Sequence, residues 1–134
     1  MKTLYESILD DEDILVNNTN DYITATTIYN KIIDKEQLTK TDIDWINNKV
    51  GVYKVNRNEL EKLLFIIGKK EKKYRKLSLN WLNVSNVEDM SFMFKHSKFD
   101  RDISKWKISS KCDTYNIFLE CPIKDKYKPK NIKE

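Results

Sequence analysis

Residues 84–106 read VSNVEDMSFMFKHSKFDRDISKW. This stretch decides the fold, because a second run built on the same pattern follows it in a 24-residue register. Val84-Ser85 falls on Ile108-Ser109, Asp89 on Asp113, Met93-Phe94 on Ile117-Phe118, Ser97 on Cys121 and Phe99 on Ile123. Apolar, small and acidic positions recur in the same order. A period in the twenties marks stacked repeats, none of which can bury its apolar side alone.

One unit can be read from its residues. Ser85-Asn86-Val87-Glu88 has the form of a capping box, with Val87, Met90, Met93 and Phe94 on one side of a short helix behind it. Ser97 to Asp102 then turn the chain, and Ile103 to Trp106 lie extended. In the second unit Ser110-Lys111-Cys112-Asp113 is the better-spaced cap. The expectation is two stacked strand–helix units over residues 77–123, closed at one end by a helix from Glu59 to Ile67. Trp81, Met90, Phe94, Phe99, Ile103, Trp106 and Phe118 form the core of these units.

Working outward, the segment Asn58 to Gly68 contains Leu60, Leu63, Leu64 and Ile67 on one helical face, with Gly68 as the stop. Val52 to Val55 suit a short strand, and Gly51 ends a short helix capped by Thr39 or Thr41. Tyr22 to Lys35 fit both periods: Ile23, Ala25 and Thr27 alternate as in a strand, whereas Ile28, Ile32 and Ile33 suit a helix. Asn17 to Asp21 form a polar break. Before it, Leu4, Tyr5, Ile8 and Leu9 share a helical face that the acids Asp10 to Asp13 interrupt. The chain divides into a mainly helical region, 1–56, and a helix-capped repeat region, 57–134, expected to form one continuous domain. The class is α/β.

Composition sets the outer limits. The chain has 134 residues, 40% hydrophobic and 34% charged, as expected of a globular domain with one core. Glycine and proline number two each, so the turns must come from Asn, Asp and Ser, whose side chains bond the backbone locally. No apolar run is long enough to span a membrane and no secretory signal is visible, so the chain is expected to stay in the cytoplasm where it is made. Cys112 and Cys121 are then expected to be free thiols. They flank the second unit's expected helix, too far apart to bond.

Charge is unevenly spread. The net +4 divides into −5 over residues 1–50 and +9 over residues 51–134. The segment Lys69 to Lys76, KKEKKYRK, is basic at six of its eight positions. Lys69, Lys70, Lys72, Lys73, Arg75 and Lys76, with Tyr74 between them, are the candidate partner-binding residues. They follow a helix end, where lysines also complement the helix dipole. The acids Asp10–Asp13 and this basic run are expected to lie on separate faces and serve different contacts.

Nothing in the sequence points to catalysis. It has no glycine-rich phosphate loop and no nucleophile with an evident base, and two cysteines with one histidine, His96, are too few for zinc. No catalytic residue, metal ligand or cofactor is expected. Asp100 and Asp102 are explained by turn capping around Arg101.

The residues LNWLNVSNVEDMSFMF (79–94), FDRDISKW (99–106) and CPIKDKYKPK (121–130) resemble the BspA-like leucine-rich-repeat proteins, the DUF285 family. Units of that family look like W-x-V-S-N-V-x-x-M-x-x-M-F followed by F-N-x-D-I-S-x-W. Trp81, Val84, Ser85, Asn86, Val87, Met90, Met93, Phe94, Phe99, Asp102, Ile103, Ser104 and Trp106 fit that pattern. The likeness spans residues 77–130. Lys111 stands where a valine is expected and Thr114 where a methionine is, as in a terminal repeat with a wet outer side. The resemblance implies a short solenoid that binds proteins and carries no chemistry. It also implies a source among bacteria, protozoa, phages or other viruses. The start, LYESILDDEDILV, is similar to the starts of small proteins from gut phages, which suggests a phage-encoded chain acting on a host or virion protein.

Two alternatives remain at this level. One is a structural or assembly role in a virion, with the acidic start as a docking arm. The other is weak nucleic-acid binding through Lys69–Lys76 and the tail lysines Lys124, Lys126, Lys128 and Lys130, with Tyr74 and Tyr127 stacking on bases.

Overall fold

A computed structural model describes residues 16–132, with side chains from Thr19 onward. The expected helical pieces around Leu4–Leu9 and the acids Asp10–Asp13 lie outside the described residues. The fold combines helices with a small parallel pairing. In chain order come α1 (Val16–Ile33), α2 (Lys40–Asn47), β1 (Tyr53–Lys54), α3 (Arg57–Lys69), β2 (Leu82–Asn83) and a 3-10 turn at Asp125–Tyr127.

Tyr22 to Lys35 resolve as helix up to Ile33 because Ala25, Ile28, Tyr29 and Ile32, spaced i, i+3, i+4 and i+7, are the buried residues. The strand-like Ile23 and Thr27 face solvent. The Thr26 and Thr27 hydroxyls donate to the carbonyls of Tyr22 and Ile23, which satisfies them inside a helix. The polar stretch Asn17–Asp21, read as a break, is instead the first part of α1. Tertiary contacts hold it there: Asp21 pairs with Lys49 at 3.5 Å, and Tyr22 stacks on Tyr53 with ring centroids 5.5 Å apart.

Thr39 caps α2 in a capping box with Asp42. Helix α3 is capped by Asn56 in a capping box with Glu59 and begins at Arg57, two residues before the Glu59 start expected from sequence. It also continues through Gly68, since Lys70, φ −116°, supplies the cap and donates its N–H to Ile66 O. Left-handed glycine geometry occurs at Gly51, φ 63°, whose N–H donates to Asn80 O. This turn delivers Tyr53 and Lys54 into parallel register with Leu82 and Asn83.

The repeat region departs from expectation in local structure but not in register. Residues 84–123 contain no helix. Ser91–His96 and Tyr115–Glu120 are runs of turns instead. In the first run Met93, Lys95 and Ser97 donate their N–H groups three residues back, to Met90, Phe92 and Phe94. In the second, Ile117, Leu119 and Cys121 donate to Thr114, Asn116 and Phe118, each bond displaced by one full repeat. The third residue of each outer turn has positive φ: Phe92 (57°) and His96 (56°), then Asn116 (49°) and Glu120 (55°). That is the backbone of type II turns built without glycine.

A second set of first-unit amides runs between the units. Met90 N–H donates to Asp113 O at 2.7 Å, Phe92 to Tyr115 at 3.0 Å, Phe94 to Ile117 at 3.0 Å and His96 to Leu119 at 2.9 Å. A helix would need those same N–H groups for carbonyls four residues back. The stack claims them first, which is why the capping-box sequence starts no helix. Ile103–Trp106, expected to be extended, is likewise a turn closed by Trp106 N–H to Ile103 O, matching the turn from Leu79 to Leu82.

The side chains follow the expected plan. Trp81, Met90, Phe94, Ile103, Trp106 and Phe118 are buried, and Phe99 is half-buried against them. Phe94 sits at the centre, 5.4 Å from the Phe118 ring and 4.3 Å from Phe99. Asn, Asp and Ser make the turns: Asn83, Asp89, Ser97, Asp102, Ser109 and Asp113 each accept an N–H from two residues ahead. Cys112 and Cys121 are unbonded and half-buried, and burial raises the Cys112 thiol pKa.

Candidate functional site

The main concavity is a groove of about 780 Å³ between the outward side of α3 and the first turn run. Leu60, Leu63, Ile66 and Ile67 turn toward the core. Leu64 and Phe65 are thereby left on the other flank, with Leu64 half-buried and Phe65 62% exposed. The turn run contributes exposed Phe92 and half-buried Met93, and the segment after it contributes half-buried Phe99. The Lys69 ammonium lies 5.6 Å from the centre of the Phe65 ring, and Lys95 lies 5.2 Å from that of Phe92.

Ion pairs frame this apolar floor. Arg57 meets Glu61 at 2.7 Å and Asp89 at 3.4 Å, and its guanidinium also donates to the Asp89 carbonyl. Asp100 pairs with Lys124, one repeat further along the chain. Hydrogen bonds from the Lys124 side chain and N–H hold the Asp100 carboxyl below its ordinary pKa. Asp89 is lowered in the same way, first by the Ser91 hydroxyl and N–H and then by the Arg57 charge.

Arg101 is the buried cation of the site, 7% exposed. Its Nη1 donates to the carbonyls of Tyr74 and Leu77, and its Nη2 lies 2.9 Å from the Glu71 carboxylate. It fastens the basic segment after α3 to the repeat units.

The structure divides the seven residues singled out from sequence. Lys69 is the last residue of α3 and lines the groove. Lys70, Lys72, Arg75 and Lys76 are exposed on the turns beyond it. Lys73 is committed to the fold, its ammonium donating to Lys35 O. Tyr74 is corrected: it is 1% exposed, its hydroxyl donates to Glu36 O at 2.8 Å, and burial followed by the Glu36 charge raises its pKa. It has no face to offer a base. The ring of Tyr127 is half-buried and lies 5.3 and 5.4 Å from the ammonium groups of Lys124 and Lys126.

Sequence reasoning missed Arg57, Phe65, Phe92 and Lys98 as site residues. One signal was present: Phe65 is a large aromatic off the apolar stripe of an amphipathic helix. Among the described residues no group of three or more His, Cys, Asp or Glu side chains could hold a metal ion, and no helix is long and apolar enough to cross a membrane.

No curated protein and no solved structure matches the chain. A family model described as "Mycoplasma protein of unknown function, DUF285" matches residues 46–128, which is more than half of the chain, from α2 through the second repeat unit. The chain belongs to the DUF285 family.

Proposed function

We propose that this chain is a non-enzymatic protein-interaction module whose 24-residue units form a short solenoid of the BspA-like, leucine-rich-repeat kind. The observation that carries the reading is the repeated backbone. Hydrogen bonds and positive φ angles recur at one spacing and build a repeated surface with an apolar groove on its flank. Stacked units of this sort leave most outward side chains free to vary, which suits recognition of a partner. The likeness of the first residues to small gut-phage proteins supports a phage-encoded chain whose partner is a host or virion protein, met in the host cytoplasm or in the particle. The nucleic-acid alternative is weakened by the burial of Tyr74.

The experiment starts with the full chain as bait in lysate of its native host, identifies the retained protein by mass spectrometry, and titrates that protein, purified, by calorimetry. The reading predicts one saturable site. Binding only to a random oligonucleotide, lost steeply with salt, would contradict it.

A further inference from the structure

The turns that follow α3 are held in place from several sides. Tyr74 and Leu77 are buried in the core, and the Tyr74 hydroxyl and the Lys73 ammonium donate to the carbonyls of Glu36 and Lys35. Arg101 donates to the carbonyls of Tyr74 and Leu77. The Asn47 side chain donates to Lys76 O at 2.8 Å and accepts the Ser78 N–H at 2.9 Å. The α1–α2 connection, α2 and the first repeat unit thus grip one short segment. Between these anchors Lys70, Lys72, Arg75 and Lys76 are exposed, and among the described residues no carboxylate pairs with any of them. Glu71, the one acid of the run, is drawn to Arg101 at 2.9 Å and leaves its lysine neighbours uncompensated.

We infer that this anchored turn is a docking surface for an acidic stretch of a partner protein. It rests on the reading of the chain as an interaction module and names the chemistry of the partner. Charge complementarity selects the occupant, since four cations free of internal partners face outward from one segment. A concavity of about 400 Å³ lined by Lys69, Lys70, Glu71, Lys72 and Lys73 adjoins them. The backbone beneath is already ordered, so docking requires little further ordering of the loop. Two details favour carboxylates over phosphates. Tyr74, the only ring in the run, is buried and leaves no face for a base to stack on. The concavity also lies at the C-terminal end of α3, where the helix carbonyls oppose a compact dianion. Single carboxylates spread from Lys72 to Lys76 lie beyond that end.

The probe is an end-blocked peptide, Glu-Asp-Gly-Glu-Asp-Gly-Glu-Asp, titrated into the isotopically labelled full chain and followed by amide NMR. The largest shifts should fall on residues 70–76, and affinity should drop about fivefold as ionic strength rises to about 0.15 M. Lys70→Glu, Lys72→Glu and Lys76→Glu together should weaken binding about tenfold, with the unfolding midpoint unchanged. The same reversal at Lys105, Lys107 and Lys111, which are exposed on the repeat units and alter net charge equally, should weaken it less than about twofold. Equal losses from the two reversals, or shifts spread evenly over the surface, would reduce the effect to net charge and overturn the inference. Tighter binding of tripolyphosphate or of a random oligonucleotide at the same turn would overturn the partner chemistry. Self-association abolished by the first reversal would assign the turn to a second copy instead. Tighter probe binding after Asp10→Asn, Asp11→Asn and Asp13→Asn together would assign it to this chain's own acidic start. A purified partner that binds the first reversal unchanged at every ionic strength would overturn the docking turn while the interaction reading stands.

Discussion

His96 and Glu120 occupy the same place in consecutive units: their φ angles are 56° and 55°, and His96 Nε2 lies 2.6 Å from the Glu120 carboxylate. Left-handed backbone costs a residue with a Cβ about 1–2 kcal/mol, and β-branched residues fare worst. Glu120→Gly should therefore be more stable than Glu120→Val by about 1–2 kcal/mol, the reverse of the order in a strand. Denaturant melts of the two variants check this. Val equal to or above Gly would contradict the turn geometry.

Phe94 joins both units through its contacts with Phe99 and Phe118. Phe94→Ala should cost about 3–5 kcal/mol, the range for a truncated core aromatic. A loss below about 1 kcal/mol in equilibrium unfolding would be incompatible with its buried position.

Arg101 should matter more than an ordinary charge. Arg101→Met removes the donor shared by Tyr74 O and Leu77 O, leaves Tyr74 O with the Leu77 N–H alone and strips Leu77 O of its side-chain donor, at a cost of about 1–3 kcal/mol. Arg101→Lys should recover less than half, because a single ammonium cannot reproduce the fork. Full rescue by lysine in a thermal melt would show that charge alone is at work.

Asp89 and Asp100 have carboxyl pKa values below the ordinary 3.8. The unfolded chain then binds protons first as pH falls, so their stabilisation is complete above the ordinary value and is lost as pH drops through the depressed one. The stability difference between wild type and Asp100→Asn should be constant from pH 7 to 5 and shrink below about pH 4. A difference that grows on acidification would give the linkage the wrong sign.

The 24-residue register, the core residues and the choice of Asn, Asp and Ser for turns were legible in the sequence, because each depends on side-chain class and spacing. The conformation between them was not. Met90 and Phe94, four apart, suit one face of a helix, but consecutive four-residue turns also return a side chain to the same side after four residues. What separates the two is where the amide protons go, and that depends on a neighbouring unit. The groove was hidden for a related reason. Phe65 and Phe92 are distant in sequence and become a site only once α3 stacks on the first turn run. Tyr74 looked like an exposed ring because lysines surround it, whereas the carbonyl it bonds belongs to Glu36, in the connection between α1 and α2.

The central claim is that the amides of Met90, Phe92, Phe94 and His96 in the first unit bond to the second unit and not to carbonyls four residues back along their own chain. Scalar coupling across hydrogen bonds, read by NMR on the isotopically labelled full chain, tests this directly. The account predicts correlations from the Phe92, Phe94 and His96 nitrogens to the carbonyl carbons of Tyr115, Ile117 and Leu119. Correlations from Phe94 to Met90 and from His96 to Phe92, the pattern of a helix, would contradict it.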